Sequence, residues 1–138
     1  MGCDCTAHFE VKIDNKWEHY SVPNIHRNYL LFEKMAGVRG SVENALAPPK
    51  GLPDDISNIT RIDSEQWGID GHHHSWLSGE EFNKLHQYHQ ELYGRDWWHI
   101  DYEQYGYLFG NEFHRFKIGV GAYPEEIQDF RLVFWFDN

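Results

Sequence analysis

From Cys3 to Ile13 the chain alternates without a break, with Cys3, Cys5, Ala7, Phe9, Val11 and Ile13 set against Asp4, Thr6, His8, Glu10 and Lys12. A period of two held this long specifies a half-buried β-strand with one apolar and one polar face. It also fixes the strand's pairing, because a one-residue slip would turn every apolar side chain to the wrong side. Asp14-Asn15-Lys16 is turn chemistry, and Trp17 to Val22 reads as the second strand of a hairpin. Both cysteines fall in the apolar phase. They are expected to be buried and unbridged, since a free Cys packs as a small hydrophobe and two positions apart on one strand suit a disulfide poorly.

Beyond the hairpin, apolar positions at helical spacing predict a helix over about 28–36, closed by Gly37. Residues 40–71 carry Pro48, Pro49, Gly51 and Pro53 with few periodic apolar positions, and read as a long loop with at most one short helical turn after Pro53. Ser78 followed by Glu81 is a capping box, and Phe82, Leu85, His89 and Leu92 line one face of a helix over about 79–93 that stops at Gly94. Residues 95–116 are dense in aromatics and acids without a clean period. Arg131 to Phe136 is a nearly continuous apolar run that suits a strand buried on both faces. The expected fold is α+β, one domain over 1–138: an antiparallel sheet of the N-terminal hairpin and the C-terminal strand, with about two helices packed on one face.

Charge narrows the partners. Twelve basic residues against 22 acidic ones give a net charge of −10. That excludes the broad basic face which an extended nucleic acid requires, but not a single small nucleotide held by one or two Arg. No apolar run is long enough to span a bilayer and no basic-then-apolar leader opens the chain, so no membrane partner is expected and a reducing cytoplasm is. Six Trp, eight Tyr and nine Phe leave aromatic surface to cover, which favours a homodimer.

Five ordered segments carry a resemblance: Met1-Gly2-Cys3-Asp4; Arg27-Asn28-Tyr29 with Leu31-Phe32 and Ala36-Gly37-Val38-Arg39; Lys50 to Ser57; His72-His73-His74-Ser75-Trp76-Leu77; and Val133-Phe134-Trp135-Phe136-Asp137-Asn138. The chain resembles a family of small proteins of tailed-phage and prophage genomes whose members begin Met-Gly-Cys-Asp-Ile-His. Where the family has Ile-His this chain has Cys5-Thr6, and His8 lies two residues on along the same strand face. The resemblance implies a phage accessory protein in the host cytoplasm, directed at host defence.

Three chemistries are open to the polar residues. Asp4 and His8 on the strand, with His72 and His74, are suitable ligands for a divalent metal, and the same four are the catalytic candidates if the protein is an enzyme. Their convergence is the first expectation to test, against the bland alternative that the strand's polar face meets water. His19-Tyr20-Ser21 and His73-His74-Ser75 are both His-x-Ser, the signature of two-histidine phosphoesterases, where one imidazole is base and the other acid. Arg27 and Arg39 are candidate phosphate forks, and Tyr29 and Trp76 candidate stacking faces. With Asn28, His72 and His74 they make up the candidate ligand site. Capture of a small anionic nucleotide-like ligand ranks first, its hydrolysis by the His/Asp cluster second, and acidic inhibition of a host nucleic-acid-binding protein third.

Overall fold

The structure, a computed structural model, describes residues 2–94 and 127–138. The segment 95–116 singled out above lies outside the described residues. Four strands, β1 (Asp4–Ile13), β2 (Lys16–Ser21), β3 (His72–Ser78) and β4 (Asp129–Asp137), form one antiparallel sheet in the order β2-β1-β4-β3. Three helices, α1 (Tyr29–Ala36), α2 (Asn58–Trp67) and α3 (Gly79–Tyr93), complete the described architecture with two short 3₁₀ turns, Val42–Asn44 and Gly68–Asp70. The class is α+β, with the N-terminal hairpin and the C-terminal strand as expected.

Local chemistry sets the element ends. Asp14 and Asn15 take φ of 50° and 63°, the left-handed pair that a tight two-residue hairpin demands. The Asn28 side chain accepts from Leu31 N at 3.0 Å and opens α1, while Gly37, at φ 76°, closes it with an N–H to Glu33 O. The capping box at α3 is complete: Ser78 Oγ accepts from Glu81 N, and the Glu81 carboxylate accepts from Ser78 N.

The odd-numbered residues of β1 and the even-numbered ones of β4 face a core shared with α1 and α3, where Phe9, Phe32, Met35, Phe82, Leu85 and Phe134 are wholly buried. Two helices therefore pack on one face, as the sequence indicates. The other face differs from expectation. Residues 58–67, read as loop, form α2, which lies across the polar face of β1. His8 and Glu10 are thereby 2% and 0% exposed rather than open to water. No apolar stripe announces α2, because its inward residues, Thr60 and Ser64, are small and polar and its isoleucines, Ile59 and Ile62, point outward. It is docked by hydrogen bonds. Glu10 Oε2 accepts from Ser57 N at 3.0 Å and from Thr60 Oγ1 at 2.8 Å, and Oε1 accepts from Arg131 on β4. All the acceptor capacity that burial strips from water is thus used within the protein.

Candidate functional site

The residues offered by the polar strand face divide between two places. At the end of the sheet, where β1 begins and β4 ends, Asp4 receives the Arg27 guanidinium on both oxygens, Nε to Oδ1 at 2.9 Å and Nη2 to Oδ2 at 3.0 Å. This pairing holds the Asp4 carboxyl below its ordinary range. Arg27 lies so close over the chain that a Cβ on Gly2 would collide with its guanidinium. Tyr29, the first residue of α1, accepts from Cys3 N through its hydroxyl, and the Arg39 guanidinium stands 5.1 Å from the Tyr29 ring centroid. Arg39 itself adopts φ 60° just past the α1 cap, and its side chain hydrogen-bonds with Cys3. Burial raises the carboxyl of Asp137, Asp4 adds to the rise, and His72 and Arg27 oppose it. His72 is held by Asn138 Oδ1 at 2.8 Å and by His73 Nδ1 at 2.7 Å.

Two members of the ligand list do other work. The Asn28 side chain caps α1 and donates to the Tyr93 hydroxyl. Trp76 stands on the outer strand β3 with the Lys50 ammonium 3.9 Å from its ring centroid, which occupies one stacking face.

His8 and His74 lie on the α2 side of the sheet. They approach each other only through Trp135: His8 stacks on that indole from β1, at 5.5 Å between centroids, and His74 from β3, at 5.8 Å. A bulge achieves this, since His73 and His74 together oppose the single residue Trp135, with His73 at φ 55°. Neither ring nitrogen of His8 is left for a metal, because Nε2 meets Asp63 Oδ2 at 2.7 Å and Nδ1 meets His19 Nε2 at 2.9 Å. Among the described residues no group of three or more His, Cys, Asp or Glu side chains is placed to hold a metal ion.

The His-x-Ser pair is also dispersed. Its two triplets stand on β2 and β3, the two outer strands, about 14 Å apart at normal strand spacing. In β2 a bulge adds Tyr20 between the pairs Phe9 with Ser21 and Glu10 with His19, so His19 and Ser21 face opposite sides of the sheet. One imidazole from each triplet therefore does not reach a common phosphate.

The bulge nevertheless gives His19 a new setting. It lines a cleft of about 760 Å³ between β2 and the start of α2, with Trp17, Tyr20, Asp55, Ser57 and Asn58 among the other walls. Behind it runs the chain His19–His8–Asp63. The Asp63 carboxylate only accepts, so His8 Nε2 carries a hydrogen; with a single ring proton on His8, Nδ1 accepts and His19 donates from Nε2. The lone pair of His19 is left on Nδ1. Burial lowers the pKa of His19, as does any charge on His8, with Glu10 acting the other way, so the ring is neutral at pH 7.

Sequence reasoning reached His19 only as half of a triplet and missed Asp63 altogether. Asp63 lies on a helix without an apolar stripe, and its link to His8 spans 55 residues, for which no local signal exists. No family model, curated protein or solved structure matches the chain. No helix among the described residues is long and apolar enough to cross a membrane.

Proposed function

We propose that the protein binds and sequesters a small anionic nucleotide-like ligand at the strand-end cluster. The observation that carries this reading is that two guanidinium groups, Arg27 and Arg39, reach the same short segment, Gly2 to Asp4, beside the Tyr29 ring. At a net charge of −10 the general field repels an anion, so capture rests on local, fixed donors of this kind. Arg27 and Asp4 are each about half exposed, so a phosphate can exchange with the Asp4 carboxylate for the planar fork. Tyr29, itself partly exposed, offers a face for a base. In the setting that the phage-protein resemblance implies, capture in the host cytoplasm withdraws a nucleotide immune signal.

The test is to incubate the purified protein with a nucleotide pool, wash, release by heat and identify the ligand by mass spectrometry. Intact nucleotide at about one per chain is expected, and it should be absent from Arg39→Ala. Recovery of no nucleotide, or equal recovery from Arg39→Ala, overturns the reading.

A further inference from the structure

A second site, independent of the strand-end cluster, lies in the cleft between β2 and α2. We propose that this cleft hydrolyses small uncharged esters, with His19 Nδ1 as general base and with His8 and Asp63 as positioning residues.

The geometry has the order that acid–base catalysis needs: an imidazole on a cleft, a second hydrogen-bonded group behind it, and a carboxylate behind that. His8 is wedged against Trp135 and fully covered, so its ring cannot turn to offer the other nitrogen. The tautomer forced on His8 by Asp63 is therefore passed to His19, whose Nδ1 has no hydrogen-bond partner among the described residues. Asp63 is about one third exposed and lines a second, smaller hollow with Trp67 and Asp70. The chain thus joins the cleft to solvent through a buried ring.

Charge selects the substrate class. Among the described residues Lys16 is the only cation lining the cleft, against Glu18 and Asp55, and the Arg131 guanidinium against the Trp17 ring is taken up by Glu10 and Asp55. An anion has no net attraction here. Trp17, Ile56 and Ile59 supply apolar wall, and the amides of Asn15 and Asn58 supply donors for a carbonyl oxygen. In the reaction, a water oxygen attacks the ester carbonyl carbon while one water proton moves to His19 Nδ1. The bond from carbon to the alkoxy oxygen breaks, and the same proton returns to that oxygen, giving the carboxylic acid and the alcohol. The transient imidazolium of His19 is stabilised by donating to His8, which donates to Asp63. Among the described residues, the charged groups around this pair and its cleft are Glu10 on β1, Glu18 and Lys16 on β2, Arg131 on β4, Asp55 before α2 and Asp63 within it.

Two measurements on the full chain test the proposal. Ring ¹⁵N spectra of His8 and His19 at pH 7.5 should show both protonated on Nε2, and Asp63→Asn should change the His8 tautomer population. A His19 ring protonated on Nδ1 overturns the assignment without any substrate present. Then p-nitrophenyl acetate, a neutral ester, and bis(p-nitrophenyl) phosphate, an anionic one, are compared as probes. Turnover of the acetate is expected, lowered about 100-fold in His19→Ala, lowered in kcat with KM retained in Asp63→Asn, and unchanged in His26→Ala, which removes an exposed imidazole elsewhere. His19→Gln is the second variant should His19→Ala not fold. Equal rates in the His19 variants, or preference for the phosphodiester, overturn the proposal. Neither result bears on nucleotide capture at Arg27 and Arg39.

Discussion

Arg131 donates from both Nε and Nη2 to one oxygen of Glu10, at 2.9 and 2.7 Å, across the central pair of strands and out of reach of water. The other Glu10 oxygen holds the first turn of α2 through Ser57 and Thr60. One carboxylate therefore ties β4 to the helix that forms the back of the cleft.

Removing either member alone should be costly, because Glu10 without Arg131 is a buried carboxylate with no cation, and Arg131 without Glu10 keeps only the exposed Asp55. Glu10→Ala or Arg131→Ala is expected to lose about 3–5 kcal/mol. Replacing both, as in Glu10→Leu with Arg131→Met, should cost less than either single change. Urea denaturation of the three variants measures this, and additive losses would show the pair to be energetically independent.

Thr60→Val keeps the shape of the side chain but removes the hydroxyl that reaches Glu10. The loss should be about 1–3 kcal/mol, the cost of a buried acceptor left short of one donor. It should fall on α2 first, so amide exchange in residues 58–67 is the sharper measurement. Uniform exchange across the sheet would argue that α2 does not open separately.

Stability should fall on acidification. Burial lowers the pKa of His19, His73 and His74, and takes that of His86 from 6.5 to about 4. A histidine whose folded pKa lies below its unfolded value binds protons more readily when unfolded. Its contribution is complete above the unfolded value near 6.5 and is lost as pH falls toward the folded one. Thermal melts at pH 7.5 and 5 should show the lower Tm at pH 5. An equal or higher Tm there would place these rings in contact with compensating charge.

Ligand affinity should respond to the strand-end residues unequally. Arg27→Ala and Arg39→Ala should each weaken capture of the recovered nucleotide by about tenfold or more, as a fork is lost. Tyr29→Ala should cost about 1–3 kcal/mol, the value of one stacked base. Trp76→Ala should change it least, since Lys50 already covers that ring. Calorimetric titration of folded variants gives the order.

Both thiols should label slowly. Cys3 is fully buried and Cys5 partly so, neither is bridged, and burial raises both pKa values. A colorimetric thiol reagent at pH 7.5 should react with both only after denaturant is added. Fast native labelling of Cys3 would place it outside the core.

What the sequence determined alone is what neighbouring residues decide among themselves. Strict alternation fixed β1 and its apolar face, Asp14-Asn15 the hairpin, Asn28 and Gly37 the limits of α1, and Ser78 with Glu81 the start of α3. These signals act over a few residues, through backbone dihedrals and single hydrogen bonds. Tertiary structure decided α2 and the polar side of the sheet. That helix buries Thr60 and Ser64 rather than a hydrophobic stripe, and its anchors, Glu10 and Arg131, lie far from it in sequence. The same holds for the candidate sites. Asp4 with Arg27, and His8 with His19 and Asp63, become partners only when the sheet closes and the helices dock. Hydrogen bonds between distant side chains carry no periodicity, and two one-residue bulges, at Tyr20 and at His73, changed which way the histidines face.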